Sequence, residues 1–280
     1  MKTILVLVDF SERSKNAATY AFAAAIHYKA NILLYNAYYV LNTVGTEGGG
    51  SPLSQYYSTY EEYENQSMRK LKKLGEELSL SFDKKTAKLP QIDYLNDLGR
   101  VGDNITEVLK QREIWFAVMG EKRNIFLDNL LAGSDSANIL RNATCPVLLI
   151  PEKVRFSPFS LITLASSSVD EHELSALNFV TELTDGTEAE IRIVHVISQN
   201  ESSNTSAQKI NTEIFNKNIS YYTIKGKDIG TTLMEYIKRE RSYLIVLVRK
   251  EYDFFESLFH SSITKKIIDN HLAPSLIYNS

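Results

Sequence analysis

Short unbroken apolar runs alternate along this chain with segments whose apolar residues recur at helical spacing. TILVLV, residues 3–8, offers no polar face after its threonine and predicts a strand buried on both sides. After the turn Asp9-Phe10-Ser11, the alanine-rich segment 12–28 predicts a helix, and 31–37 a second strand. LNTVGTEGGGSPLSQ, residues 41–55, has three consecutive glycines and Pro52 and reads as a loop. Residues 57–80 carry Glu and Lys at helical spacing and predict a long exposed helix. The alternation resumes with a strand near 91–96, a helix at 103–112 and a strand at 114–119. A helix at 134–142 and a strand at 146–150 complete it, and PEKVRFSPFS, with its two prolines, reads as a linker. Strands alternating with helices predict a parallel sheet covered on both faces.

The second half repeats the first. A gapless shift of 128 positions lays residues 99–152 on 227–280 and pairs Gly102 with Gly230, Glu107 with Glu235, Val118 with Val246 and Phe126 with Phe254. It also pairs Ser134 with Ser262, Asn142 with Asn270 and Pro146 with Pro274. Toward the front the shift is 159, pairing Ala17 with Ala176, Ala30 with Ala189 and Ile32 with Ile191. The glycine loop and most of the long helix account for the difference and belong to the first copy alone. The pattern is a tandem duplication, with domains at 1–152 and 159–280.

Composition narrows the function classes. A chain of 280 residues has room for two domains with real cores. Net charge is −3, so no overall basic field points to nucleic acid or an anionic membrane as partner. Cys145 is the only cysteine, which excludes an intrachain disulfide and a multi-cysteine metal site. The apolar start is too short for a signal peptide, and no run approaches a membrane span of ~18 residues. The expectation is a soluble cytoplasmic protein.

The chemistry concentrates in VMGEKRNIFLDNLLAGSDSANILRNATCPVLLIPE, residues 118–152. Gly120 follows a strand and Gly133-Ser134 precedes a helix, points where backbone N–H groups can approach phosphate oxygens. Ligands of open parallel sheets bind outside the carboxyl ends of strands, and Asp9 ends the first strand at that same edge. The opening ILVLVDFSERSKNA, the loop GEKRNIFLDNLLAGS and the closing LRNATCPVLLIPE resemble the universal stress proteins of the UspA type. The resemblance extends to both halves.

That resemblance implies two tandem open five-stranded parallel sheets with helices on both faces. It also implies a phosphate motif G-x2-G-x9-G-[ST], met here by Gly120, Gly133 and Ser134, with Arg123 where the second glycine belongs. Asp9 matches the acidic residue closing the first strand, and Ala37 falls where the second strand runs beside adenine. ATP, with magnesium, is thus implied for the first half. Arg123 either obstructs the phosphates or donates its guanidinium to them, while a carboxylate at Asp135 would repel them. In the second half the matching positions are Val248, Glu251, Ser261 and Ser168, and no nucleotide is expected there. Family members pair through their last strands, which implies that 147–150 meets 275–278 within this chain as a pseudo-dimer; further homodimerisation stays open.

Plainer readings stand beside these. Ser134 and Ser262 suit helix N-caps, Asp9 could cap the helix after it, and Gly120 could be a simple turn glycine. His195, ending a strand, and Cys145, preceding one, suit packing. No phosphate loop of the G-x4-G-K-[ST] type, nucleophile elbow or H-E-x-x-H pair occurs, so nothing demands catalysis. Three functions remain open: a nucleotide-binding stress protein acting by binding, a nucleotide-free scaffold for unknown protein partners, and a slow ATPase with Asp9 as metal or water partner.

Overall fold

The computed structural model describes residues 1–39, 52–82, 88–121, 135–166, 170–198, 218–249 and 273–279. The first half runs β1 (Thr3–Leu7), α1 (Glu12–Tyr28), β2 (Asn31–Tyr38), α2 (Pro52–Ser81), β3 (Ile92–Leu98), α3 (Val101–Gln111), β4 (Phe116–Gly120), α4 (Asp135–Asn142) and β5 (Val147–Ile150). The second runs β6 (Leu161–Ser166), α5 (Glu171–Leu183), β7 (Glu190–Ser198), β8 (Ile219–Gly226), α6 (Ile229–Glu240), β9 (Leu244–Arg249) and β10 (Ser275–Asn279). Helix α2 begins at Pro52, earlier than the periodicity predicts. Proline suits a first helical position because its missing N–H would be unpaired there anyway.

All ten strands form one sheet in the order β3-β2-β1-β4-β5-β10-β9-β6-β7-β8. Every described pairing is parallel except that of β5 with β10, which sets Leu148 opposite Leu276 and Val147 opposite Ile277. The pseudo-two-fold pairing through the last strands is therefore present, and it turns two open edges into a continuous ladder. Helices α1, α2 and α5 bury their apolar residues on one face of the sheet, and α3, α4 and α6 on the other.

Packing across the two halves is substantial. The Phe179 ring of the second half lies 6.0 Å from that of Trp115 and 6.3 Å from that of Phe116 in the first. Lys2 Nζ is 2.6 Å from Glu182 Oε1. Arg249, ending β9, donates from Nη1 to the carbonyls of Leu140 and Arg141 at 2.7 Å, capping the end of α4 from the other half. Phe156 and Phe159 of the linker pack into the same apolar layer as Tyr20 and Tyr28 of α1.

No helix among the described residues is long and apolar enough to cross a membrane.

Candidate functional site

In the first half the strand order reverses between β1 and β4. The helices that follow those two strands, α1 and α4, pack on opposite faces, and the crevice between the carboxyl ends of the strands is where such a sheet receives a ligand. Asp9 follows β1 on one side of this switch point, and Gly120 closes β4 on the other.

Asp9 is fixed by its own turn. Its Oδ1 accepts the Ser11 N–H at 2.9 Å and the Ser11 hydroxyl, while Arg13 Nη2 lies 3.7 Å from Oδ2. The turn places Phe10 in the left-handed region at φ 62°, a strained choice for a bulky residue and typical of functional corners. Lys70 of α2 sits 5.5 Å over the Phe10 ring. The cap of α1 is Ser11, whose Oγ accepts the Ser14 N–H at 3.3 Å. Asp9 is therefore not the helix cap, and its side chain stays 63% exposed.

Partial burial pushes the Asp9 carboxyl up. The hydrogen bonds of Ser11 and Ser14 and the charge of Arg13 outweigh that, and the net result lies below the ordinary carboxylate value. A carboxyl whose folded-state pKa is depressed contributes stability above its unfolded value and loses it as pH falls through the folded one. Asp9→Asn is thus expected to be less stable than the parent at neutral pH, with the gap closing in acid below the usual carboxylate range. Urea unfolding of both proteins across the acid range checks this; a gap that persists to the lowest pH would contradict it.

Beyond β1 the ladder gives way to a side chain. The last rung is the Val8 N–H donating to Tyr35 O at 2.8 Å. The next acceptor, Val8 O, is taken by Asn36 Nδ2 at 2.6 Å, and Asn36 Oδ1 in turn accepts the Ser67 hydroxyl at 2.7 Å. Asn36 and Ser67 are both buried, so this bridge locks α2 onto β2 beside the crevice. Along β2 the peptide groups alternate sides: Ile32 and Tyr38 bond toward β3, and Tyr35 toward β1. The Ala37 peptide accordingly faces the β1 side, past the point where β1 has stopped pairing.

Gly120 is required by packing. A Cβ added there would lie 2.7 Å from both C and O of Arg13 and 3.0 Å from the Ser14 nitrogen. The first turn of α1 thus rests directly on the end of β4.

The structure brings Asp9, Ala37 and Gly120 to one sheet edge around the switch point. Arg123, Gly133 and Ser134 lie outside the described residues, as do Ser168, Glu251 and Ser261 of the second half. Sequence reasoning missed Asn36 and Ser67, whose pairing joins distant segments and leaves no local pattern.

The equivalent edge of the second half is built differently. Val248, at the position of Gly120, is buried. Glu173 stands where α1 has Ser14, and it is buried too, accepting the Ser166 hydroxyl. His195 takes the place of Asn36, with Nδ1 3.1 Å from Ser166 O. It lies within β7, which continues to Ser198, and does not end the strand as the sequence pattern predicts. Burial pushes the Cys145 thiol up to about 12, so it is unreactive at neutral pH. Among the described residues no His, Cys, Asp and Glu gather to hold a metal.

A family model described as the universal stress protein family matches residues 1–151. Comparison with curated proteins finds no match. Among solved structures, a universal stress protein from Archaeoglobus fulgidus DSM 4304 superposes with a TM-score of 0.68 at 15% identity, over 99% of this chain and 96% of that one. A putative universal stress protein from Pseudomonas aeruginosa UCBPP-PA14 superposes with a TM-score of 0.52 at 9% identity, over 100% of this chain and 93% of that one. At such identities these two structures establish the shared fold.

Proposed function

The chain belongs to the universal stress protein family, and from that premise we propose that its first half holds an adenine nucleotide, ATP or AMP, at the switch point between β1 and β4. The Ala37 peptide, facing the gap left where β1 stops pairing, carries the reading. One N–H and one C=O side by side complement the ring nitrogen and exocyclic amine of adenine, and the half-buried Ala37 side chain leaves room for a base. The exposed carboxylate of Asp9 stands at the same edge as an acceptor for a sugar hydroxyl or an amine. Gly120 lets the first turn of α1, which holds Asp9, close onto the end of β4. Arg123, Gly133 and Ser134 complete the set, with Arg123 donating to phosphate and magnesium entering with the triphosphate.

The residues of the first-half edge fit a nucleotide, and those of the second-half edge fit it poorly. There the Val248 side chain and the Glu173 carboxylate fill the equivalent corner, and a buried carboxylate disfavours phosphate. The protein acts by binding, as a cytoplasmic stress-response protein, and not by catalysis. A slow ATPase is the lesser alternative, and loss of magnesium-dependent turnover in Asp9→Asn would promote it.

The test is the nucleotide content of the purified protein, read by ion-exchange chromatography of the denatured supernatant. Equimolar adenine nucleotide is the expected result. An empty protein that also gains no thermal stability from millimolar Mg-ATP would overturn the proposal and leave a scaffold acting through protein contacts. Replacing Arg123 by glycine is expected to weaken ATP binding by about tenfold if the guanidinium serves as a phosphate donor. Tighter binding would show the side chain to be an obstruction.

A further inference from the structure

We propose a second ligand site in this chain, for a small amphiphilic anion, in the cavity where the linker of the first half meets the end of α6. The cavity holds about 520 Å³, within the ordinary size range of small-molecule pockets. Antiparallel pairing of β5 with β10 brings the amino ends of β9 and β10 to the rim where β5 ends, and the cavity opens at that rim. None of the described residues assigned to the nucleotide, Asp9, Ala37 and Gly120, is among its lining.

Its lining divides cleanly by chemistry. Val154, Ile237, Ala273 and Pro274 give apolar walls, and Tyr243 adds a ring. Arg155, Lys238 and Arg241 bring three positive charges, and no carboxylate is among the described residues that line the cavity. None of the three forms an ion pair with the described residues, although Arg239, between two of them in sequence, and Arg192 of β7 are both paired with Glu240. Unpaired cations around an apolar cleft favour an anion with an apolar body, because the walls bury the body while the cations hold the head.

Tyr20 strengthens the assignment. Its side chain is only 2% exposed yet lines the cavity, so α1 adds an aromatic wall with a phenol hydroxyl to the linker and α6 residues. Capping the end of α6 explains part of the basic charge, since cations suit a helix C-terminus. It does not explain Arg155, which belongs to the linker.

The experiment is a fluorescence titration of the full chain with 8-anilinonaphthalene-1-sulfonate, an aromatic body with an anionic head. Saturable binding is expected. Lys238→Glu with Arg241→Glu should weaken it by about tenfold or more, and Arg155→Glu alone by a smaller factor. All three positions are exposed, so these variants should fold, with the thermal midpoint lowered by a few degrees at most through the lost favourable charges at the end of α6. Tyr20→Phe should weaken binding about threefold, and uncharged N-phenyl-1-naphthylamine should bind about tenfold more weakly than the sulfonate. Equal affinity of parent and charge-reversed proteins would overturn the proposal. So would equal affinity for the charged and uncharged probes, or binding that never saturates. Nucleotide binding can fail while this titration succeeds, since the two sites share no residue.

Discussion

Cutting Leu276 to alanine is expected to destabilise the whole chain by about 2–5 kcal/mol, the range for truncating a fully buried leucine in a core that relaxes only partly. Leu276 is 1% exposed at the centre of β10, and Leu148, directly opposite on β5, is 4% exposed. Both side chains belong to one apolar cluster that runs from α1 and α2 to α5 without a break between the halves. A small apolar cavity of about 10 Å³, lined by both leucines with Phe116 and Phe159, already lies beside them. Removing either side chain enlarges that void, so the cost should lie toward the upper part of the range. Leu148→Ala is expected to cost a similar amount, and the double variant less than the sum, with a coupling of about 0.5–3 kcal/mol.

Trp115, the only tryptophan, packs on Phe116 and Phe179 from both halves and reports the unfolding of this layer. Urea unfolding followed by its fluorescence and by circular dichroism should give coincident single transitions in the parent. Separate transitions in Leu276→Ala would mean that this contact is what makes the halves unfold together. A loss below about 1 kcal/mol would contradict the continuous core, because no buried leucine at a packed centre is that cheap to remove.

The repeat made the architecture legible before any coordinates. Its gapless shift pairs Pro146 with Pro274 and Leu148 with Leu276, so the last strands of the two copies occupy equivalent places. Strand boundaries were legible where both faces are buried, as at β1, because an unbroken apolar run has little freedom to shift. The start of α2 was not, since the glycine run before it and Pro52 itself read as a loop where the helix opens. At the site, Asp9 and Gly120 were visible as residues at strand ends, but the reason for Gly120 was not. A glycine that clears phosphate and a glycine that clears a neighbouring helix leave the same letter. The bridge from Asn36 to Ser67 was invisible for a different reason: it spans distant segments, and neither residue type is unusual where it stands.

The two roles of Gly120 can be separated by substitution. Gly120→Ala is expected to cost about 1–3 kcal/mol, the usual range for overpacking a well-filled site. At roughly 2–4 °C per kcal/mol for a chain of this size class, the thermal midpoint should fall by several degrees. The added Cβ would meet the carbonyl carbon and oxygen of Arg13 at 2.7 Å, and these are backbone atoms that no rotamer change can move aside. Relief has to come from shifting the first turn of α1. That turn carries Ser11, Arg13 and Ser14, all of which hold Asp9 in place. The substitution should therefore also loosen nucleotide binding, and by more than the small volume of a methyl group at a phosphate would suggest. A glycine needed only for phosphate approach predicts the reverse pattern: weaker nucleotide binding with an unchanged midpoint in the nucleotide-free protein. Thermal unfolding without nucleotide, set beside an ATP titration of the same variant, decides between them. An unchanged midpoint would remove the packing role and leave the glycine to the ligand alone.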